Sequence, residues 1–171
     1  MKNIYEVLDE IDAAPTKRTK MNVIERNLSK TLTDVFLLAY HPDYQWLIKE
    51  VPDNYLPKET IPGMSLTQLS TEMRRLYLFR KGDASAENLT PEKREELLVR
   101  FLEAIEPREA EVVMGIFNKY LGVQGLDYSF IKEAFPNLLP YILDNTIIHD
   151  IIDLYYELRG EMWNYYNQNQ Y

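Results

Sequence analysis

Apolar residues recur along this chain at helical spacing, and prolines, glycines and capping residues cut them into short separate helices. Ile4, Val7, Leu8 and Ile11 fall at i, i+3, i+4 and i+7, which predicts an amphipathic helix over residues 3–13 that Pro15 stops. Thr16 is the expected cap of a second helix, TKRTKMNVIERN. Its Met21, Ile24 and Leu28 face inward, and Lys17, Arg18, Lys20 and Arg26 crowd the outer side. A third helix opens at Thr31 or Thr33 and is apolar almost all round, through Leu32, Val35, Phe36, Leu37, Leu38, Ala39 and Tyr40. It is expected to be the most buried of all. His41-Pro42 ends it, because a residue before proline is pushed out of helical geometry, and a short helix from Asp43 then carries Trp46, Leu47 and Ile48.

Prolines 52, 57 and 62 make residues 51–63 a stiff connection, read as a loop wrapped over the surface on Tyr55, Leu56 and Ile61 rather than as a linker between domains. Ser65 is expected to cap a helix with Leu66, Leu69, Met73, Leu76 and Phe79 on its buried stripe, its end carrying Arg74, Arg75, Arg80 and Lys81. Those cations suit the negative pole of a helix and call for no ligand. After a polar loop over 82–88, Thr90-Pro91-Glu92 opens a helix with a core face of Leu97, Leu98, Phe101, Leu102 and Ile105.

Residues 107–140 carry the densest helix punctuation. Pro107 starts a helix with Val112, Val113, Ile116, Phe117, Tyr120 and Leu121 on its apolar face; Gly122 and Gly125 end it. Asp127 caps a second, short helix with Tyr128, Ile131 and Phe135, which Pro136 closes. Beyond Pro140, Leu143, Ile147, Ile151, Leu154, Leu158 and Met162 line one stripe, so residues 144–166 are expected to form a long helix of roughly 35 Å, with Gly160 a place where it can kink or stop. Its first half is expected to pack on the 107–140 hairpin. Trp163, Tyr165 and Tyr166 lie beyond Gly160 and are read as an exposed surface for a partner or a second copy. No alternating strand pattern and no internal repeat is present. The expected fold is all-α, a single compact bundle of about seven to nine helices spanning residues 1–160, followed by an aromatic, Asn/Gln-rich tail at 161–171.

The chain has 171 residues, a length for one domain, and a net charge of −8 that opposes broad binding to nucleic acid. That charge is uneven: residues 1–15 carry −3, residues 16–81 carry +4 and residues 82–171 carry −9. Cysteine is absent, which removes disulfides and thiolate chemistry, and the two histidines, His41 and His149, are far apart. No metal and no cofactor is expected. Neither a signal peptide nor an apolar stretch of membrane-spanning length is visible, so the protein is read as soluble and cytoplasmic. Phosphate-cradling loops, nucleophile elbows and HExxH motifs are missing, and the acid pair Glu95-Glu96 sits among basic residues on a surface helix. His41 is read as a helix-end residue satisfied by backbone, and His149 as a structural partner of Asp153. An enzyme is not expected.

Two segments carry a resemblance. TKRTKMNVIERN with Leu32, Val35 and the Trp46–Lys49 stretch resembles the start of the N-terminal helical DNA-binding domain of phage-type ATP-dependent DNA ligases. Glu111-Val112, Met114, Lys119 and Leu121, then Ile131 to Pro140 with its Phe-Pro-Asn-Leu-Leu-Pro exit, are similar to that domain's end. The whole chain also resembles a family of small uncharacterised proteins of marine tailed phages. The ligase resemblance implies a lobe that grips duplex backbone through the minor groove. Lys17, Lys20 and Lys119 match basic places in that pattern, with Arg18 and Lys132 nearby. The adenylated lysine of the ligase Lys-x-Asp-Gly motif has no counterpart here, and acids at Glu109, Glu111, Asp127 and Glu133 surround Lys119 and Lys132. The expected function is therefore a non-enzymatic adaptor for a protein partner in phage replication, transcription or host takeover. Its alternatives are a DNA-binding accessory protein and a virion or assembly component.

Overall fold

The computed structural model describes residues 2–58, 64–142, 154, 155 and 157–160. Helices are the only regular elements among them: α1 Ile4–Ala13, α2 Lys17–Arg26, α3 Lys30–Tyr40, α4 Leu69–Glu72 continued by a 3₁₀ segment Met73–Phe79, α5 Ala84–Glu87, α6 Pro91–Ala104, α7 Pro107–Phe117 and α8 Tyr128–Ala134. The protein is all-α. Side-chain oxygens start several of these helices by accepting otherwise orphaned N–H groups. Thr16 accepts from Thr19 at 3.2 Å, Thr90 from Lys93 at 3.2 Å and Asp127 from Phe130 at 2.8 Å, all three at the expected caps. Ser29, two residues before Thr31, caps α3 by accepting from Leu32 at 3.1 Å.

The chain divides into two compact units, residues 1–139 and 140–171. In the first, α7 packs against α1, α3 and α6, while α1 pairs with α2 and α3 with α8. On α3, Leu32, Val35, Phe36 and Ala39 are fully buried, as its all-round apolar surface requires. Trp46, Phe117, Phe79 and Phe101 form a continuous aromatic run with ring centroids 5.1, 5.8 and 6.0 Å apart, tying the 3₁₀ segment, α6 and α7 together. Full burial of each such side chain contributes about 1.5–3 kcal/mol.

Several expectations are corrected. Residues 43–49 form no helix: Leu47 donates to the Phe79 carbonyl at 2.9 Å and Lys81 to the Gln45 carbonyl at 2.7 Å, an isolated antiparallel bridge. A short apolar stretch between Pro42 and Pro52 cannot repay helix nucleation, whereas the bridge buries Trp46 against Phe117. The helix expected from Ser65 starts only at Leu69 and tightens to 3₁₀ at Met73, leaving Leu66 84% exposed. The loop at 82–88 contains a helical turn, α5, which Asp83 caps by accepting from Ser85 at 2.9 Å. Finally, α7 stops at Phe117 and not at Gly122, so Tyr120 is exposed. Leu28 is exposed as well, and of the loop anchors Tyr55 packs on the core, Leu56 is exposed, and Ile61 lies outside the described residues.

The long helix expected over 144–166 lies mostly outside the described residues; Leu154, Tyr155 and residues 157–160 are helical. Leu154 and Leu158 are exposed. An apolar stripe shows which face is oily, not that anything covers it. Trp163, Tyr165, Tyr166 and His149 are outside the described residues.

Candidate functional site

Four of the five cations of the ligase-like pattern are engaged by other groups of the fold. Lys17, in the first turn of α2, forms an exposed ion pair with Glu133 of α8. Lys20 donates to the Ile11 carbonyl at 2.7 Å, covering the open end of α1. Lys119 is half-buried and donates to the His41 carbonyl at 3.0 Å just past α3; burial lowers its pKa. Lys132 donates to the Leu139 carbonyl at 2.6 Å and to that of Pro136. Arg18 is exposed on α2. Three of the four lysines thus serve backbone carbonyls, a use that sequence spacing does not reveal. His41 behaves as expected: its Nδ1 accepts from the Asp43 N–H at 3.1 Å.

A second feature escaped the sequence reading. A groove of about 480 Å³ runs between residues 46–53 and α6, with Trp46, Ile48, Val51, Pro52 and Leu98 among its apolar wall and Lys49, Glu50, Asp53, Arg94 and Glu95 supplying charge. Trp46 Nε1 and Arg94 Nε are buried without any hydrogen-bond acceptor. Arg94 is held by its Nη2, which donates to the carbonyls of Ala86 at 2.9 Å and Leu89 at 3.2 Å. A buried unpaired donor costs about 1–3 kcal/mol, so two in the walls of one groove stand out in the fold. The sequence offered one trace of this: a tryptophan beside a proline-rich stretch that no helix could use.

Carboxylates are also buried. Glu109, in the first turn of α7, accepts the Leu69 N–H at 3.0 Å and so caps α4 from a distance in sequence. Burial raises its pKa, the N–H bond opposes that shift, and the neighbouring Glu106 carboxylate adds to it. Glu106 in turn accepts from the Tyr5 hydroxyl at 3.0 Å. This pair is explained by packing. Among the described residues no group of three His, Cys, Asp or Glu side chains is placed to hold a metal, and no helix is long and apolar enough to cross a membrane.

The fold defines an all-α lobe like one found in a ligase-related protein. A solved chain labelled "Pmar-Lig_Pre." is similar to this one with a TM-score of 0.61 at 16% identity, over 81% of this chain and 31% of that chain. The protein thus spans about a third of that ligase-related chain, and the likeness, which is of fold, fits the N-terminal ligase-domain resemblance. The chain belongs to a family of unknown function, DUF6433, which matches residues 7–123. No curated protein matches it.

Proposed function

We propose that the protein is a non-enzymatic, phage-encoded adaptor that engages a protein partner during replication, transcription or host takeover. The observation that carries this reading is the engagement of Lys20, Lys119 and Lys132 with backbone carbonyls inside the fold. Each of these ammonium groups has donors committed to carbonyls, which fixes where it points and leaves fewer donors for a phosphate. Lys17, Arg18 and Arg26 remain on α2, too few for strong backbone binding in a chain of net charge −8. The test is a titration with duplex DNA at low salt. No affinity tighter than about 0.1 mM, the weak end of ordinary non-specific binding, is expected. A partner recovered from infected cells should then bind the purified full-length chain directly.

The likeness to a ligase-related chain favours one second reading, a DNA-binding accessory protein. It predicts affinity that falls with salt by roughly one unit of log slope per phosphate contact, lost in Lys17→Glu/Arg18→Glu. Both side chains are exposed, so that variant should fold.

A further inference from the structure

The groove between residues 46–53 and α6 combines two demands that one ligand chemistry can meet. Its walls hold two N–H donors without acceptors, Trp46 Nε1 and Arg94 Nε, and the Trp46 side chain is almost wholly buried, with 6% of the residue exposed. Its rim holds Glu50, Asp53 and Glu95, all exposed and none in an ion pair among the described residues, against the cations Lys49 and Arg94. We propose that this groove binds a basic segment of a protein partner. Main-chain carbonyls of that segment accept from Trp46 Nε1 and Arg94 Nε, and its Lys or Arg side chains meet the three rim carboxylates. The proposal rests on the adaptor reading and names the chemistry of the partner.

The alternatives fit less well. A phosphate or an acidic peptide would face three carboxylates, and a purely apolar segment would leave both donors unpaired. A groove of about 480 Å³ has room for a few residues of a peptide, within the range of ordinary ligand pockets. The donors are covered, so part of the wall must yield. Residues 48–51 make no backbone–backbone hydrogen bond among the described residues, while the bridge at 45–47 and the Tyr55 N–H to Pro52 carbonyl bond at 3.0 Å hold the two ends. The middle of the segment is therefore untied by backbone hydrogen bonds, and its own N–H and C=O groups can pair with an extended peptide.

The experiment follows the Trp46 indole N–H and the Arg94 Nε–H by NMR in the full-length chain. The probes are acetylated and amidated pentapeptides of alternating lysine and valine and the matching glutamate–valine peptide. The basic peptide should shift both resonances saturably and bind at least tenfold more tightly than the acidic one. Arg94→Lys, which removes the Nε donor but keeps the charge, should weaken that binding about tenfold. The surface variant Glu50→Gln/Asp53→Asn/Glu95→Gln should abolish the preference for the basic peptide, and its exposed sites leave folding intact. Resonances that stay put, equal response to both peptides, or unaltered binding by the surface variant would overturn the proposal. A captured protein partner that binds the surface variant as well as the natural chain would sink the groove assignment and leave the adaptor reading standing. Salt-sensitive duplex binding with no protein partner would sink the adaptor reading itself.

Discussion

The end of α7 shows how much depends on single residues. Lys119 adopts φ 60°, the left-handed conformation usually left to glycine, and its N–H returns to the Ile116 carbonyl at 3.2 Å while that of Tyr120 reaches Gly115 at 3.0 Å. The chain therefore folds back directly over Gly115, where an added Cβ would stand 2.9 Å from the Tyr120 carbonyl oxygen. Alanine gains about 1 kcal/mol in helix propensity over glycine, but overpacking against backbone costs about 1–3 kcal/mol. Gly115→Ala should thus lower stability by about 1 kcal/mol in urea unfolding; a raised midpoint would contradict this close approach. Glu109 makes a pH-dependent case. Its folded pKa lies above its unfolded value, so within that window the folded state holds more protons and unfolding free energy falls as pH rises. Glu109→Gln keeps an acceptor for the Leu69 N–H and cannot titrate. Its stability relative to the natural chain should therefore climb as pH rises through and above the ordinary glutamate range, measured by paired urea melts. A difference that does not change with pH would show an unshifted carboxyl.

Among the elements, the helix starts at Thr16, Thr90 and Asp127 matched the sequence reading, and the start set by a distant group did not. Thr16, Thr90 and Asp127 cap their helices because the accepting side-chain oxygen and the donating N–H lie three residues apart. By contrast, α4 begins where the Glu109 carboxylate, 40 residues away, accepts its first N–H. Tyr40, at the end of α3, is another long-range tie: its hydroxyl donates to the Leu126 carbonyl at 2.7 Å, and burial pushes the phenol well above the usual tyrosine range. Tyr40→Phe leaves that carbonyl unpaired beside α8 and should cost about 1–3 kcal/mol. Chemical denaturation checks the size. A neutral substitution would mean that the carbonyl finds another donor.

For the molecule as a whole, the described core runs from Ile4 to Leu139, all within the first unit. A fragment of residues 1–139 should accordingly fold alone, with helical circular dichroism and a cooperative melt; a molten fragment would show that residues beyond 139 complete the core. The amino-acid sequence determined the helical class, most helix starts and the inward faces of α1, α3, α6 and α7, because capping and 3.6-residue spacing act over a few residues. It left the candidate site almost invisible. Lys119 and Lys132 look like free cations until the fold brings the carbonyls of His41 and Leu139 within reach, and Trp46 looks helical until Phe79, Phe117 and Arg80 surround it. Only the tertiary structure sets Trp46 and Arg94, 48 positions apart, in the walls of one groove with both donors unanswered. Which polar groups find partners is settled when distant segments are buried together, and no local pattern along the chain encodes that choice.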